Sequence, residues 1–263
     1  MNDKSSDLID QMLQDRRHIH RRPELGWTEF ETTSYVANRL ERLGIEYQLG
    51  IDFLDISSVQ GRDEKLVNKA IERALEHGVP QSFIEKTGGY TGIVGILDTG
   101  NPGPTIAIRA DLDAVPVQET SAAEHEAVKG NYVSEIPGVM HACGHDCHTA
   151  MLLGAAKILS AHREEIHGTV KLLFQMAEEI GTESRHYVEN GSLSDVDAIF
   201  GMHIWATLDA GKVNFEDGER MACSDRFTVK IKGKAAHGSE PDKGADAVVA
   251  AAAVVMGLQT LVS

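Results

Sequence analysis

Three apolar runs constrain the chain most: "TIAIRA" (105–110), "GTVKLLFQMA" (168–177) and "VDAIFGMHI" (196–204). Each is strand-like in length and rich in β-branched or aromatic residues. Segments of helical character precede the second and third runs. That alternation predicts an α/β layer structure with parallel strand pairing. The residues at the end of each run are equally informative. The first run leads into Asp111 and Asp113, the second into Glu178 and Glu179, and the third carries His203. Sites in open α/β sheets form outside the carboxyl ends of the strands. Three strands therefore deliver carboxylates and an imidazole to one edge.

A fourth segment, "MHACGHDCHTAMLLGAAKIL" (140–159), places three histidines and two cysteines within eight positions. A helix is expected from about 149 to 162. Cys143 and His145 then sit just before its N-terminus, where positive potential favours a thiolate. One thiolate, imidazoles and several carboxylates suit zinc, manganese or another divalent first-row ion. The surplus of carboxylates points to two ions, which in such sites lie about 3.5–4 Å apart. If strand geometry persists through Glu178 and Glu179, the two side chains diverge. One can then hold metal while the other stays free as a general base. Cys143 and Cys147 do not have Cys-x-x-Cys spacing, which argues against a closed structural zinc site. Neither G-x-S-x-G nor a strand-borne G-x-G-x-x-G is present. Cys147 and Cys223 read as ordinary small buried residues.

The remaining chain supports a globular reading. Its 263 residues carry a formal net charge of −15, which argues against nucleic-acid or anionic-membrane partners. Three cysteines suggest no disulfide framework and fit a reducing cytoplasm. The polar N-terminus lacks an apolar signal core. The alanine-rich run 245–262 carries Asp246 and Gln259 and reads as a buried helix rather than a membrane span. Further helices are expected at 6–22, 28–43, 65–78 and 182–190, the third within a polar insertion, 51–88. "TGIVGILD" (91–98) and "DRFTVKIKGKAAHG" (225–238) read as additional strands.

Taken together, these segments resemble the dinuclear-metal amidohydrolases, a family that includes aminoacylases, carboxypeptidases and hippurate hydrolases. The 140–159 segment looks like the family signature, and "RRHIHRRPELGWTEFET" resembles its N-terminal signature. "AIRADLDAVPVQE", "GTVKLLFQMAEEIGTES" and "FGMHIW" are similar to three further blocks in family order. The resemblance implies a mixed sheet flanked by helices over 1–222. It also implies the start of an α+β, ferredoxin-like lid over 223–263, in "KIKGKAAHGSEPDKGADAVVAAAAVV".

The resemblance further implies hydrolysis of an amide between an acyl group and an amino acid, with two divalent ions, manganese or zinc. Carried over by position, Cys143, His145, Glu179 and His203 match metal ligands. Glu178 matches the general base and Asp113 the carboxylate that orients the ligand shell. His237 matches the lid histidine that contacts substrate. Asp111 stands where other branches place a histidine ligand and is not assigned. The insertion and the block after it look like those of the branch that cleaves p-aminobenzoyl-glutamate. A homodimer, or a heterodimer with a related subunit, is implied as well. Family members continue through the lid and supply a last histidine, whereas this sequence stops at Ser263. A truncated, non-catalytic metal-binding subunit is therefore the alternative expectation.

Overall fold

The computed structural model describes residues 3–181, 184–190, 192–219 and 227–261. Its helices are α1 (Asp3–Arg21), α2 (Phe30–Arg42), α3 (Gly50–Phe53), α4 (Glu64–Glu76), α5 (Gln81–Thr87), α6 (Glu126–Lys129), α7 (His145–Ala161), α8 (Ser184–Glu189) and α9 (Ala247–Gln259). Its strands are β1 (Glu46–Leu49), β2 (Ile93–Asp98), β3 (Thr105–Asp111), β4 (Thr169–Gln175) and β5 (Ala198–Gly201). The chain divides into two compact units, Met1–Asn214 and Phe215–Ser263. The boundary expected at 222–223 lies outside the described residues, as does Cys223.

Within the first unit the strands form one sheet in the order β1-β2-β4-β3-β5. β3 pairs in parallel with both β4 and β5, while β2 runs antiparallel to β1 and β4. The sheet is thus mixed, as the family resemblance implies, and not wholly parallel as the alternation alone suggests. The short 99–104 connection explains the reversal. Parallel neighbours need a crossover of a dozen or more residues, so a six-residue turn sends β3 back against the direction of β2. β4 then inserts between them.

Both faces of the central strands β2 and β4 are covered, whereas the edge strand β5 is exposed. In β4, Leu172 and Phe174 face one core with Leu40, Leu97, Leu152 and Leu153; Leu173 faces a second with Trp27, Phe53, Val67 and Tyr187. That two-residue alternation, with both faces buried, is why the strand reads as a continuous apolar run. The second core corrects the reading of 51–88 as a polar insertion. Helix α4, capped by Asp63 accepting from Lys65 N–H, buries Val67, Ala70 and Ala74 in this second core. With Ile71 and Leu75, which pack against the same core, those three residues form the apolar face of the helix. Phe174 is 0% exposed, so Phe174→Ala should cost about 3–5 kcal/mol in urea unfolding. A loss below about 1 kcal/mol would contradict this placement.

In the second unit, the segment expected as a strand at 225–238 is not one over its described part, 227–238. A strand requires a partner along its length. Here only Lys234 finds one, in an isolated bridge to Ala245. Helix α9 forms with Asp246 accepting from Val248 and Val249 N–H, but it is not the buried helix expected, since none of its residues is buried and Val248 is 77% exposed. Among the described residues, no helix is long and apolar enough to cross a membrane.

Candidate metal centre

Because β3, β4 and β5 run in parallel, their carboxyl ends lie at one edge of the sheet. The residues just beyond those ends meet the first turn of α7. That helix begins at His145, four residues earlier than the sequence suggests. Gly144 precedes it with φ 88°, a left-handed conformation that glycine adopts without a Cβ penalty. His145 is consequently the first residue of the helix, and Cys143 stands just outside it.

His145 is fully buried at the centre of the cluster. Its Nε2 lies 3.8 Å from Asp111 Oδ2, 3.8 Å from Glu178 Oε2 and 3.7 Å from Glu179 Oε1. Its Nδ1 faces Asp113 Oδ1 at 3.4 Å. Asp113 also accepts the Glu179 N–H at 2.9 Å through Oδ2. Cys143 Sγ lies 3.4 Å from His203 Nε2, whose ring Nδ1 contacts the Ile204 carbonyl. An Nδ1–H directed at that carbonyl leaves the Nε2 lone pair facing the thiol. The structure therefore brings Cys143, His145, His203, Glu178 and Glu179 together around His145, with Asp113 behind it. Three groups of donor atoms, Cys143–His145–His203, His145–Glu178–Glu179 and Asp111–His145–His148, each lie within 4.8 Å of one another. His237 belongs to the second unit. There its Nδ1 pairs with Ser239 Oγ at 2.8 Å and accepts Ser239 N–H at 3.2 Å.

The two glutamates do not diverge along a strand. β4 ends at Gln175, Ala177 turns left-handed at φ 52°, and Glu178–Ile180 forms a 3-10 turn. The turn brings both carboxylates toward the same imidazole.

Two neighbours went unassigned in the sequence. Asp111, 0% exposed, pairs with Arg109, which also stands 4.0 Å from Glu178 Oε1. His148 lies one turn along α7 from His145, and its Nδ1 is 3.6 Å from Asp111 Oδ2. Its Nε2 accepts the Ile204 N–H at 3.0 Å. That contact places the proton on Nδ1, which faces Asp111 without a hydrogen bond. The spacing of His145 and His148 on one helix face was the available signal. Cys147 is half-buried rather than buried.

The electrostatics follow from this crowding. Burial opposes a charged His145, but Asp113, Asp111 and Glu178 outweigh it and push its pKa up to about 9. Burial and the carboxylates of Glu179, Glu178 and Asp111 raise the Cys143 thiol to about 12. Burial and the surrounding acids thus override the helix-terminus preference for a thiolate. Glu178 is raised as well, by burial first and then by Asp111.

The donor set fits a divalent cation. Oδ2 of Asp111, Oδ1 of Asp113, both nitrogens of His145 and Nδ1 of His148 are buried without a hydrogen bond. Buried polar atoms are normally satisfied, so such a cluster of donors awaits a common partner. A cation would offset the carboxylate repulsion and hold Cys143 as a thiolate.

Comparison with known proteins agrees with this chemistry. Residues 107–263 match the family model described as Peptidase family M20/M25/M40. The chain is 40% identical over 264 residues to indole-3-acetyl-aspartic acid hydrolase of Enterobacter agglomerans, covering 99% of this chain and 60% of that protein. It is 39% identical to one of the subunits of p-aminobenzoyl-glutamate hydrolase of Escherichia coli strain K12, covering 94% of this chain and 57% of the relative. Among solved structures, the YXEP protein of Bacillus subtilis is described as a dinuclear metal binding peptidase of the M20 family. It aligns with a TM-score of 0.57 at 35% identity, over 78% of this chain and 45% of that one. The chain thus spans about half to three fifths of the length of the curated relatives it matches. It belongs to peptidase family M20/M25/M40.

Proposed function

We propose that this chain carries the metal-binding and proton-transfer part of an amidohydrolase that cleaves N-acyl amino acids. The single observation that carries the reading is the convergence of Cys143, His145, His203, Glu178 and Glu179 at one sheet edge. In this reading Cys143, His145, Glu179 and His203 hold two divalent ions, manganese or zinc. When bound, such ions acidify water and polarise a carbonyl. Asp113 fixes the tautomer of His145 and the backbone of Glu179, so that the imidazole Nε2 faces the carboxylates. Glu178 takes the proton of the attacking water and returns it to the leaving nitrogen. His237 contacts the substrate and supports the developing oxyanion.

The substrate class is drawn from the relatives. Indole-3-acetyl-aspartate and p-aminobenzoyl-glutamate are both aromatic acyl groups joined to an acidic amino acid. We assign the same class here, with p-aminobenzoyl-glutamate, cleaved to p-aminobenzoate and glutamate, as the leading candidate. The Escherichia coli relative is named as one subunit of its hydrolase, which supports assembly here with a related subunit or a second copy. A reducing cytoplasm suits a ligand thiol such as Cys143.

The test is metal analysis of the purified protein together with hydrolysis of both conjugates, run with and without a related subunit. Bound manganese or zinc, with amino-acid release that a chelator stops and added metal restores, is the expected result. Metal binding without release of either amino acid in either assembly would contradict the catalytic reading.

A further inference from the structure

Two amides of the turn that presents Glu178 and Glu179 are held by buried carboxylates. Glu179 N–H donates to Asp113 Oδ2 at 2.9 Å. Ala177 N–H donates to Glu29 Oε1 at 2.7 Å, and Thr91 Oγ1 donates to Glu29 Oε2 at 2.6 Å. Glu29 is 0% exposed and stands at the N-cap of α2, yet its side chain makes no capping bond to that helix. Both of its oxygens are instead committed elsewhere, one of them to the turn after β4. Ala177 needs such a hold, because a left-handed alanine is strained and persists only when its surroundings dictate it. A second anchor is Ile180. A Cβ at Gly26 would come within 2.8 Å of Ile180 Cδ1, and one at Gly61 within 2.5 Å of Ile180 Cγ2. The turn is therefore gripped by the 23–29 segment, the 51–88 segment and Asp113.

We infer that Glu29 is a positioning residue of the metal centre, acting through the Ala177 amide to hold Glu178 and Glu179 toward His145. This rests on the metal-hydrolase reading. Without Glu29 the Ala177 N–H loses its acceptor, and the strained turn is free to relax away from the imidazole. Groups that hold ligands in this manner typically change metal affinity by about 10–100-fold when removed.

Cobalt(II) titration of the full chain, followed by thiolate-to-cobalt absorption from Cys143, reads the effect without turnover. Glu29→Ala should weaken cobalt binding by about 10–100-fold. Glu29→Gln should stay within about threefold of the unmodified chain, because its amide oxygen still accepts from Ala177 and its NH₂ can donate to Thr91. Equal affinity in folded Glu29→Ala would overturn the inference alone. No cobalt uptake by the unmodified chain would overturn the metal reading and this inference with it. Hydrogen exchange supplies a measurement that needs no variant. The Ala177 amide should exchange at least about 100-fold more slowly than an unstructured one, and exchange at the unprotected rate would refute the brace.

Discussion

Replacing His145 with alanine should abolish tight divalent-metal binding. The side chain belongs to all three donor groups of the centre, with Cys143 and His203, with Glu178 and Glu179, and with Asp111 and His148. Its loss therefore removes a shared ligand rather than a peripheral one. A four-ligand site binds zinc with about 10–16 kcal/mol, or roughly 3 kcal/mol per ligand, so one ligand is worth about 10²-fold in affinity. His145 also stands 3.4–3.8 Å from the carboxylates of Asp113, Asp111, Glu178 and Glu179, at the centre of the cluster. His162→Ala is a fair control, since that side chain is 57% exposed on the far end of α7 and pairs only locally with Glu165. Calorimetric titration with zinc or manganese checks the contrast. Unchanged affinity in His145→Ala would remove the ligand assignment at its centre.

The second large effect separates binding from chemistry. Glu178→Gln should lower kcat by about 10²–10⁴-fold in the metal-loaded protein, while metal affinity changes little. The geometry explains the division of labour proposed for the two acids. Glu179 is tied down at its backbone by Asp113, whereas the Glu178 side chain is 34% exposed and has Arg109 at 4.0 Å. Burial and the proximity of Asp111 raise the pKa of Glu178, which suits a group that must both accept and return a proton. The amide of glutamine preserves size and polarity and removes only that capacity. Hydrolysis of p-aminobenzoyl-glutamate, measured beside metal content, reads both quantities. A variant that loses metal instead of turnover would make Glu178 a ligand and leave the base unassigned.

Particular residues show why much of this was legible and some was not. Strands β2 and β4 could be read because both faces of the sheet are covered there, so their sequences are continuously apolar. The convergence of Asp111, Asp113, Glu178, Glu179 and His203 could be read from strand ends alone. The geometry of the glutamate pair could not. Ala177 gives no sequence sign that it will turn left-handed, because alanine seldom does so and nothing local requires it. The cause lies 148 residues away, in Glu29. Sheet order was hidden for a similar reason. The contiguity of β2 and β3 suggests a hairpin, and only the packing of β4 between them reveals otherwise. The early start of α7 depends on the left-handed Gly144, whose role is set by the close approach of Ile204.

X-ray absorption at the metal edge of the manganese- or zinc-loaded chain tests the central claim most directly. The account predicts one sulfur ligand, from Cys143, at about 2.3 Å for zinc, with the remaining scatterers nitrogen and oxygen at about 2.0–2.2 Å. It also predicts that the sulfur contribution vanishes in Cys143→Ser. A first shell of nitrogen and oxygen alone in the unmodified chain, unaltered by that substitution, would contradict it.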